Sequence, residues 1–325
     1  MCHGGRGDAP VRRIGSRRVR RAPLSRRSGP EMIRVGTAGW SYPDWEGLVY
    51  PRGSASSKRS LVLLAGMFDV LEINTTFYRP PNPRMAEGWA ERVASHPAFR
   101  FTAKLWQGFT HERDETHPAE EAAFKEGIDP LRQAGRLGAL LIQFPHSFRN
   151  SQASRAYLTA LLDRFAGDPL VVELRHVSWL SDEVLALLDA RGAGYCNVDQ
   201  PLVGSASPPT TIITGSIGYA RLHGRNREAW FKKDAGRDAR YDYLYSHEEI
   251  RGWAERIRLM QRKAKGGADI FIIANNHYRG QAAANALEIV HALTGEPVAP
   301  PASLVEAYPR LAAIASPAQR QEGPA

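Results

Sequence analysis

Val70-Leu-Glu-Ile-Asn-Thr-Thr-Phe77 begins as a short apolar run and ends in polar residues, and seven other stretches of the chain share that design. They are IRVGT (33–37), FRFTAK (99–104), ALLIQF (139–144), LVVELR (170–175), GYCNVD (194–199), YARLHG (219–224) and DIFIIANN (269–276). Most are followed by helix-like stretches, the alternation that predicts parallel strands joined by crossover helices. Eight such units fit one closed barrel better than an open sheet, so the expected class is α/β, a modified TIM (β/α)8 barrel. Its active site would sit at the carboxyl ends of the strands.

The intervening segments carry helix signals. Residues 57–68 and 84–95 read as helices, the second after the Pro80-Pro81-Asn82-Pro83 turn. Residues 120–137 read as two short helices broken before Pro130. Ser151 and Ser181 occupy N-cap positions before 152–165 and 182–191. Residues 247–264 are entered by Ser246-His-Glu-Glu249, and 281–293 are closed by Gly295. Residues 201–218, with Pro208 and Pro209, leave little room for a helix, so an irregular crossover is expected between strands six and seven. The loop after the first strand, with Trp40, Tyr42, Trp45 and Tyr50, reads as an aromatic roof over a pocket.

At 325 residues and 43% hydrophobic content the chain suits a single barrel with decorated loops. Three parts are expected: an Arg-rich leader over 1–31, a barrel over 32–295, and a C-terminal extension over 296–325 that is loose beyond Ser316. No apolar stretch approaches the roughly 20 residues that span a bilayer. Two widely separated cysteines, Cys2 and Cys196, argue against a disulfide framework, and a reducing cytoplasm fits best. The formal charge of +9 is concentrated in the leader, whose nine Arg against Asp8 and Glu31 supply +7. The barrel therefore has no large basic excess with which to track a phosphate backbone. The leader reads as disordered. It is a basic arm for nucleic acid or membrane, a transit segment, or the product of a mis-assigned start with Met32 as the initiator. It has no apolar segment of the secretory kind.

Residues two apart on a strand share a face. By that rule Glu72 with Asn74, Thr102 with Lys104, Gln143, Glu173 with Arg175, Asn197 with Asp199, Arg221 with His223, and Asn275 or Asn276 point into the barrel. Such a mouth holds acid and base groups in Glu72, Lys104, Glu173, Asp199 and His223, and anion clamps in Arg175 and Arg221. The plainer reading is a salt-bridge network that closes the barrel top, because buried charges are costly unless paired. His111 and His277, just past the third and eighth strands, are candidate proton shuttles, whereas His96, His146, His247 and His291 read as surface residues. No local zinc spacing occurs. A divalent metal held by Glu72, Glu173, Asp199 and His223 from separate strands stays open. Nicotinamide and flavin signatures are lacking. Gly280 precedes a helix and reads equally as an anion site or a tight turn.

The ordered motifs GTAGWSYPDWEGLVYP, FDVLEINTTFYRPP, FRFTAKLWQGFTH, LLIQFPHSF, VVELRHVSW, YARLHG and NNHYRGQAAANA resemble those of the domain of unknown function 72 family, the YecE-like proteins. The resemblance runs from about Ile33 to Leu293 and implies a modified TIM barrel that opens close to Ile33, which favours Met32 as the start. Its motif positions fall on Trp40, Tyr42, Glu72, Asn74, Tyr78, Lys104, His111, Gln143, Glu173, Arg175, Asp199, Arg221, His223, Asn275, Asn276 and Gly280. It implies no particular reaction.

The expected function is an enzyme, a hydrolase, lyase or isomerase, acting by acid and base chemistry on a small anionic metabolite such as a phosphorylated or acidic sugar. Arg175 and Arg221 would hold the anion. Glu173 and Glu72 would be base and acid, Lys104 would polarise a carbonyl, and Trp40 and Tyr42 would cover the ligand. One alternative is nucleotide or nucleic-acid processing, with Phe77, Tyr78 and Trp106 stacking on bases and the leader adding nonspecific affinity. Another is a binding or regulatory barrel without catalysis.

Overall fold

In a computed structural model of the chain, residue 1 and residues 32–54, 57–113, 117–230, 232, 237–264 and 267–316 are described. The leader reading and the end of the C-terminal extension thus fall outside the described residues. Eight parallel strands close a barrel in sequence order. They are β1 (Ile33–Ala38), β2 (Val70–Ile73), β3 (Arg100–Lys104), β4 (Leu137–Gln143), β5 (Leu170–Glu173), β6 (Gly194–Asp199), β7 (Ile217–Leu222) and β8 (Asp269–Ala274). Closure is made by β8 pairing with β1, from Ile33 against Ile270 to Thr37 against Ala274. β1 and β2 meet closely at Gly36, where an added Cβ would stand 1.7 Å from the Val70 carbonyl oxygen. Only glycine fits there.

Alternation on the strands builds two apolar layers. Ala38, Val70, Ala139, Leu141, Val171, Cys196, Val198, Ile217, Tyr219, Phe271 and Ile273 fill the barrel. Leu71, Ile73, Phe101, Leu140, Ile142, Val172, Ala220, Leu222, Ile270 and Ile272 face the surrounding helices.

Helix ends follow their caps. Ser151 and Ser181 accept from Ser154 and Val184 backbone N–H groups at the starts of Gln152–Arg164 and Asp182–Ala190. Ser246 and Glu249 complete a capping box on His247–Lys263. Gln281–Thr294 stops at Gly295 with φ +75°.

Residues 118–133 differ from the expected pair of short helices. They form one helix, Pro118–Gln133, that runs through Pro130. A proline costs about 3 kcal/mol inside a helix. Burying Phe124, Ile128 and Leu131 returns about 1.5–3 kcal/mol each and holds the helix together. Between β6 and β7 the described chain has no helix, as the proline content predicts.

β6 also corrects the expected facing of its side chains. Cys196 and Val198 point into the barrel, and Asn197 and Asp199 point out. The barrel interior is itself a packed core, so apolar residues do not identify the outer face. Asn197 serves the helix-less crossover instead: its Oδ1 accepts from Ile212 N and Thr210 Oγ1, and its Nδ2 donates to the Ile212 and Tyr219 carbonyls.

Past the last barrel helix, Ala302–Ala307 and the turn Pro309–Ala313 pack through buried Leu304 and Leu311. Arg310 anchors that segment on Glu288 at 2.5 Å. Among the described residues no helix is long and apolar enough to cross a membrane.

Candidate functional site

The carboxyl ends of the strands surround a cavity of about 200 Å³. It is lined by Tyr42, Asn74, Thr75, Tyr78, Lys104, Gln143, Arg175, Arg221, Tyr241, Asn275 and His277. β2 ends at Ile73, and the short helix Thr75–Tyr78 swings Tyr78 to the rim, where it is 58% exposed. Thr76 fastens that turn by donating to the Ile73 and Lys104 carbonyls.

Beneath the cavity lies a closed charge network. Arg221, 1% exposed, donates from Nη2 to Glu72 Oε1 and from Nη1 to Glu173 Oε2, both at 2.6 Å. Its Nη1 also reaches Gln143 Oε1 at 3.0 Å. Glu72 receives the Tyr219 hydroxyl at 2.9 Å, and Glu173 receives Arg175 Nε at 2.6 Å. Burial would raise the Glu173 carboxyl, but Arg221, Arg175 and His223 hold it well below the usual carboxylate range. Each carboxylate oxygen is thereby engaged. The plainer reading, mutual satisfaction of buried charges, describes Glu72 and Glu173.

His223 is also buried. Its Nε2 lies 3.3 Å from Arg175 Nη2 and 3.4 Å from Arg221 Nη1, and its Nδ1 lies 2.7 Å from the Asn275 amide nitrogen. Burial and the two guanidinium charges push its pKa down to about 3, so the ring is neutral at physiological pH.

Lys104 reaches the cavity from the end of β3 with its Nζ 4.2 Å from the centroid of the Phe77 ring. Burial lowers its pKa to about 7, with Arg221 and Arg175 adding to the shift and Glu72 and Glu173 opposing it. Aromatic rings also line the cavity. The Tyr42 ring stacks on His277 at 4.6 Å with 8° between planes, and the Tyr241 ring lies 4.9 Å from His277 with 38° between planes.

Several expected site residues lie elsewhere. Trp40 packs outside the barrel against Trp89 and Phe101, at 5.8 and 6.2 Å, so it does not cover the cavity. Asp199 faces outward, accepting both Arg225 Nε and Nη2 and, at 2.5 Å, Trp253 Nε1 from the helix His247–Lys263. Glu72, Glu173, Asp199 and His223 therefore do not converge on one metal position. Among the described residues no three His, Cys, Asp or Glu side chains are grouped to hold a metal ion. Asn276 turns away to the Tyr243 carbonyl and Asn285. His111 is outside the lining, edge-on to Phe77 at 5.0 Å. Gly280, with φ +78°, is crowded by Val49 and Leu304 and forms a tight turn.

Thr75 and Tyr241 belong to the lining and were not anticipated. Tyr241 arrives on the long segment after β7, whose only sequence mark is the aromatic cluster Tyr241, Tyr243 and Tyr245.

Residues 34–307 match the family model described as "Protein of unknown function DUF72". The chain belongs to the DUF72 family. A similar protein is the UPF0759 protein YunF of Bacillus subtilis (strain 168), 31% identical over 276 residues, which are 81% of this chain and 95% of that one. A solved DUF72 family protein from Thermotoga maritima MSB8 is 34% identical with a TM-score of 0.71, covering 81% of this chain and 99% of its own. One from Enterococcus faecalis V583 is 28% identical with a TM-score of 0.71, covering 81% and 95%.

Proposed function

We propose that this DUF72 barrel binds a small anionic metabolite at its mouth and acts on it by proton transfer through Lys104. One observation carries the reading: among the described cavity-lining residues the Asp, Glu, Lys and Arg side chains are Lys104, Arg175 and Arg221, all of the basic type that carries positive charge when protonated. The two carboxylates of the network lie behind them and are engaged by guanidinium groups. A desolvated cluster of N–H donors with no facing carboxylate attracts a carboxylate or phosphate and repels cations.

Glu72 and Glu173 then act as counter-ions that hold Arg221 in place, rather than as acid and base. A catalytic acid or base works best with a pKa near the working pH. Lys104, at about 7, meets that condition, whereas Glu173 is held ionised and His223 neutral. Asn74, Gln143 and Asn275 offer amide groups to orient hydroxyl or carbonyl oxygens, and the Tyr42, His277 and Tyr241 rings give a sugar-like skeleton aromatic groups to pack against.

The test is thermal denaturation with inorganic phosphate, a sugar phosphate, a sugar acid and a neutral sugar. A ligand at 100 times its Kd adds about 2.7 kcal/mol of stability. Stabilisation by the anions, absent in Arg175→Ala, is the expected result. Equal stabilisation by the neutral sugar, or retention of the anion effect in Arg175→Ala, would overturn the reading.

A further inference from the structure

Lys104 differs from the other cations of the mouth in what holds it. Arg175 is paired to Glu173, and Arg221 to both Glu72 and Glu173. Among the described residues no carboxylate oxygen comes within the 4.0 Å of an ion pair to the Lys104 amine. The amine rests on the face of Phe77. Losing its proton therefore breaks a cation–π contact and no salt bridge. Two guanidinium groups beside it favour that loss. Among the described lining residues there is no thiol and no carboxylate, so this amine is the strongest nucleophile facing the cavity.

A lysine desolvated beside other cations is the arrangement that activates an amine toward carbonyl carbon. We propose that Lys104 attacks an aldehyde or ketone bearing a phosphate or carboxylate and forms an imine with it. This inference rests on the anion-binding reading above, names the substrate class of the same site and replaces proton transfer by the free amine with covalent attack by the same Lys104 nitrogen. The neutral amine adds to the carbonyl carbon, forming a C–N bond as the C=O π bond becomes a hydroxyl. That hydroxyl then leaves as water with the second amine proton, and one water is released for each imine formed. Protonation of the imine restores a cation at the place the ammonium occupied. The Phe77 face and the field of Glu72 and Glu173 stabilise it there. An iminium so held withdraws electrons from the adjacent carbon, the requirement for breaking a C–H or C–C bond next to a carbonyl.

Borohydride trapping tests the step in the full chain. Glycolaldehyde phosphate, or neutral glycolaldehyde, is added with sodium cyanoborohydride, and the reduced adduct is located by peptide mass mapping. The expected result is an adduct at Lys104 that forms at least tenfold faster than at the exposed Lys58, with a rate that rises through pH 7. Inorganic phosphate should slow it, and Lys104→Arg should lack it. The competition and mapping arms use the unmodified chain and do not depend on the variant folding. If glycolaldehyde phosphate stabilises the chain through Arg175 while Lys104 reacts no faster than Lys58, the imine step is wrong and the anion site stands. Trapping of neutral glycolaldehyde at Lys104 as fast as its phosphate would support the imine and overturn the anion reading. Neither stabilisation nor a Lys104 adduct would overturn both.

Discussion

Replacing Arg221 with methionine removes the one group among the described residues that touches both buried carboxylates, Glu72 and Glu173. In the native chain the guanidinium lies 2.6 Å from Glu72 and 2.6 Å from Glu173, with all three side chains at 1% exposure or less. Glu173 keeps Arg175 after the change, but Glu72 keeps only the Tyr219 hydroxyl. Breaking a buried pair by removing one partner costs about 3–5 kcal/mol, because the other charge is left without compensation. For a domain of this size about 1 kcal/mol moves Tm by roughly 2–4 °C, so a loss of about 3–5 kcal/mol in Arg221→Met should lower Tm by roughly 6–20 °C.

Neutralising the stranded partner restores most of this. Arg221→Met combined with Glu72→Gln should recover more than half of the loss, and the cycle of single and double variants isolates the pairing energy. Calorimetry of the four proteins at pH 7 reads these quantities. A Tm loss under 3 °C in Arg221→Met, or a double variant no more stable than the single one, would refute the account of the network.

Three other outcomes follow from the same geometry. His223, neutral until about pH 3, should show ring carbon and proton shifts that stay constant from pH 5 to 8 by NMR; a titration within that window would mean that its guanidinium neighbours are misplaced. Asp199→Asn should weaken the hold on Arg225 and Trp253 and destabilise the fold by about 1–3 kcal/mol, yet leave phosphate affinity by calorimetry within twofold; a tenfold loss would return Asp199 to the ligand site. Glu173, held well below the usual range, contributes stability that is complete above its unfolded pKa of about 4.3 and is lost as pH falls toward its folded value. Glu173→Gln should accordingly flatten the acid limb of the stability curve, and an unchanged limb would remove Glu173 as its source.

The barrel was legible because each strand is a local event. A run such as Leu170–Glu173 followed by a capped helix such as Asp182–Ala190 carries its own signal in apolar spacing and an N-cap serine. The same alternation faced Glu72, Lys104, Gln143, Glu173, Arg175, Arg221 and His223 to the carboxyl end of the barrel, and the structure chose Asn275 over Asn276 where alternation had left both open. It failed at Asp199 because parity says which residues share a face and not which face is inside. On β6 small apolar side chains were needed within the barrel, and polar ones were needed outside to hold Arg225 and the irregular crossover. Trp40 misled for a related reason, since an aromatic residue after a strand serves the outer core as readily as a roof.

What the sequence alone determined is thus the order of strands and helices and the chemical inventory of the mouth, both written in neighbouring residues. Tertiary structure alone decided how that inventory is divided: Glu72 meets Arg221 across 149 positions of sequence, and Tyr241 joins the lining from a distant loop. Among the described residues such pairings leave no carboxylate within ion-pair distance of the Lys104 amine, and its place on the Phe77 ring follows from the pairing of β3 with β2, which sets distances that no local spacing encodes.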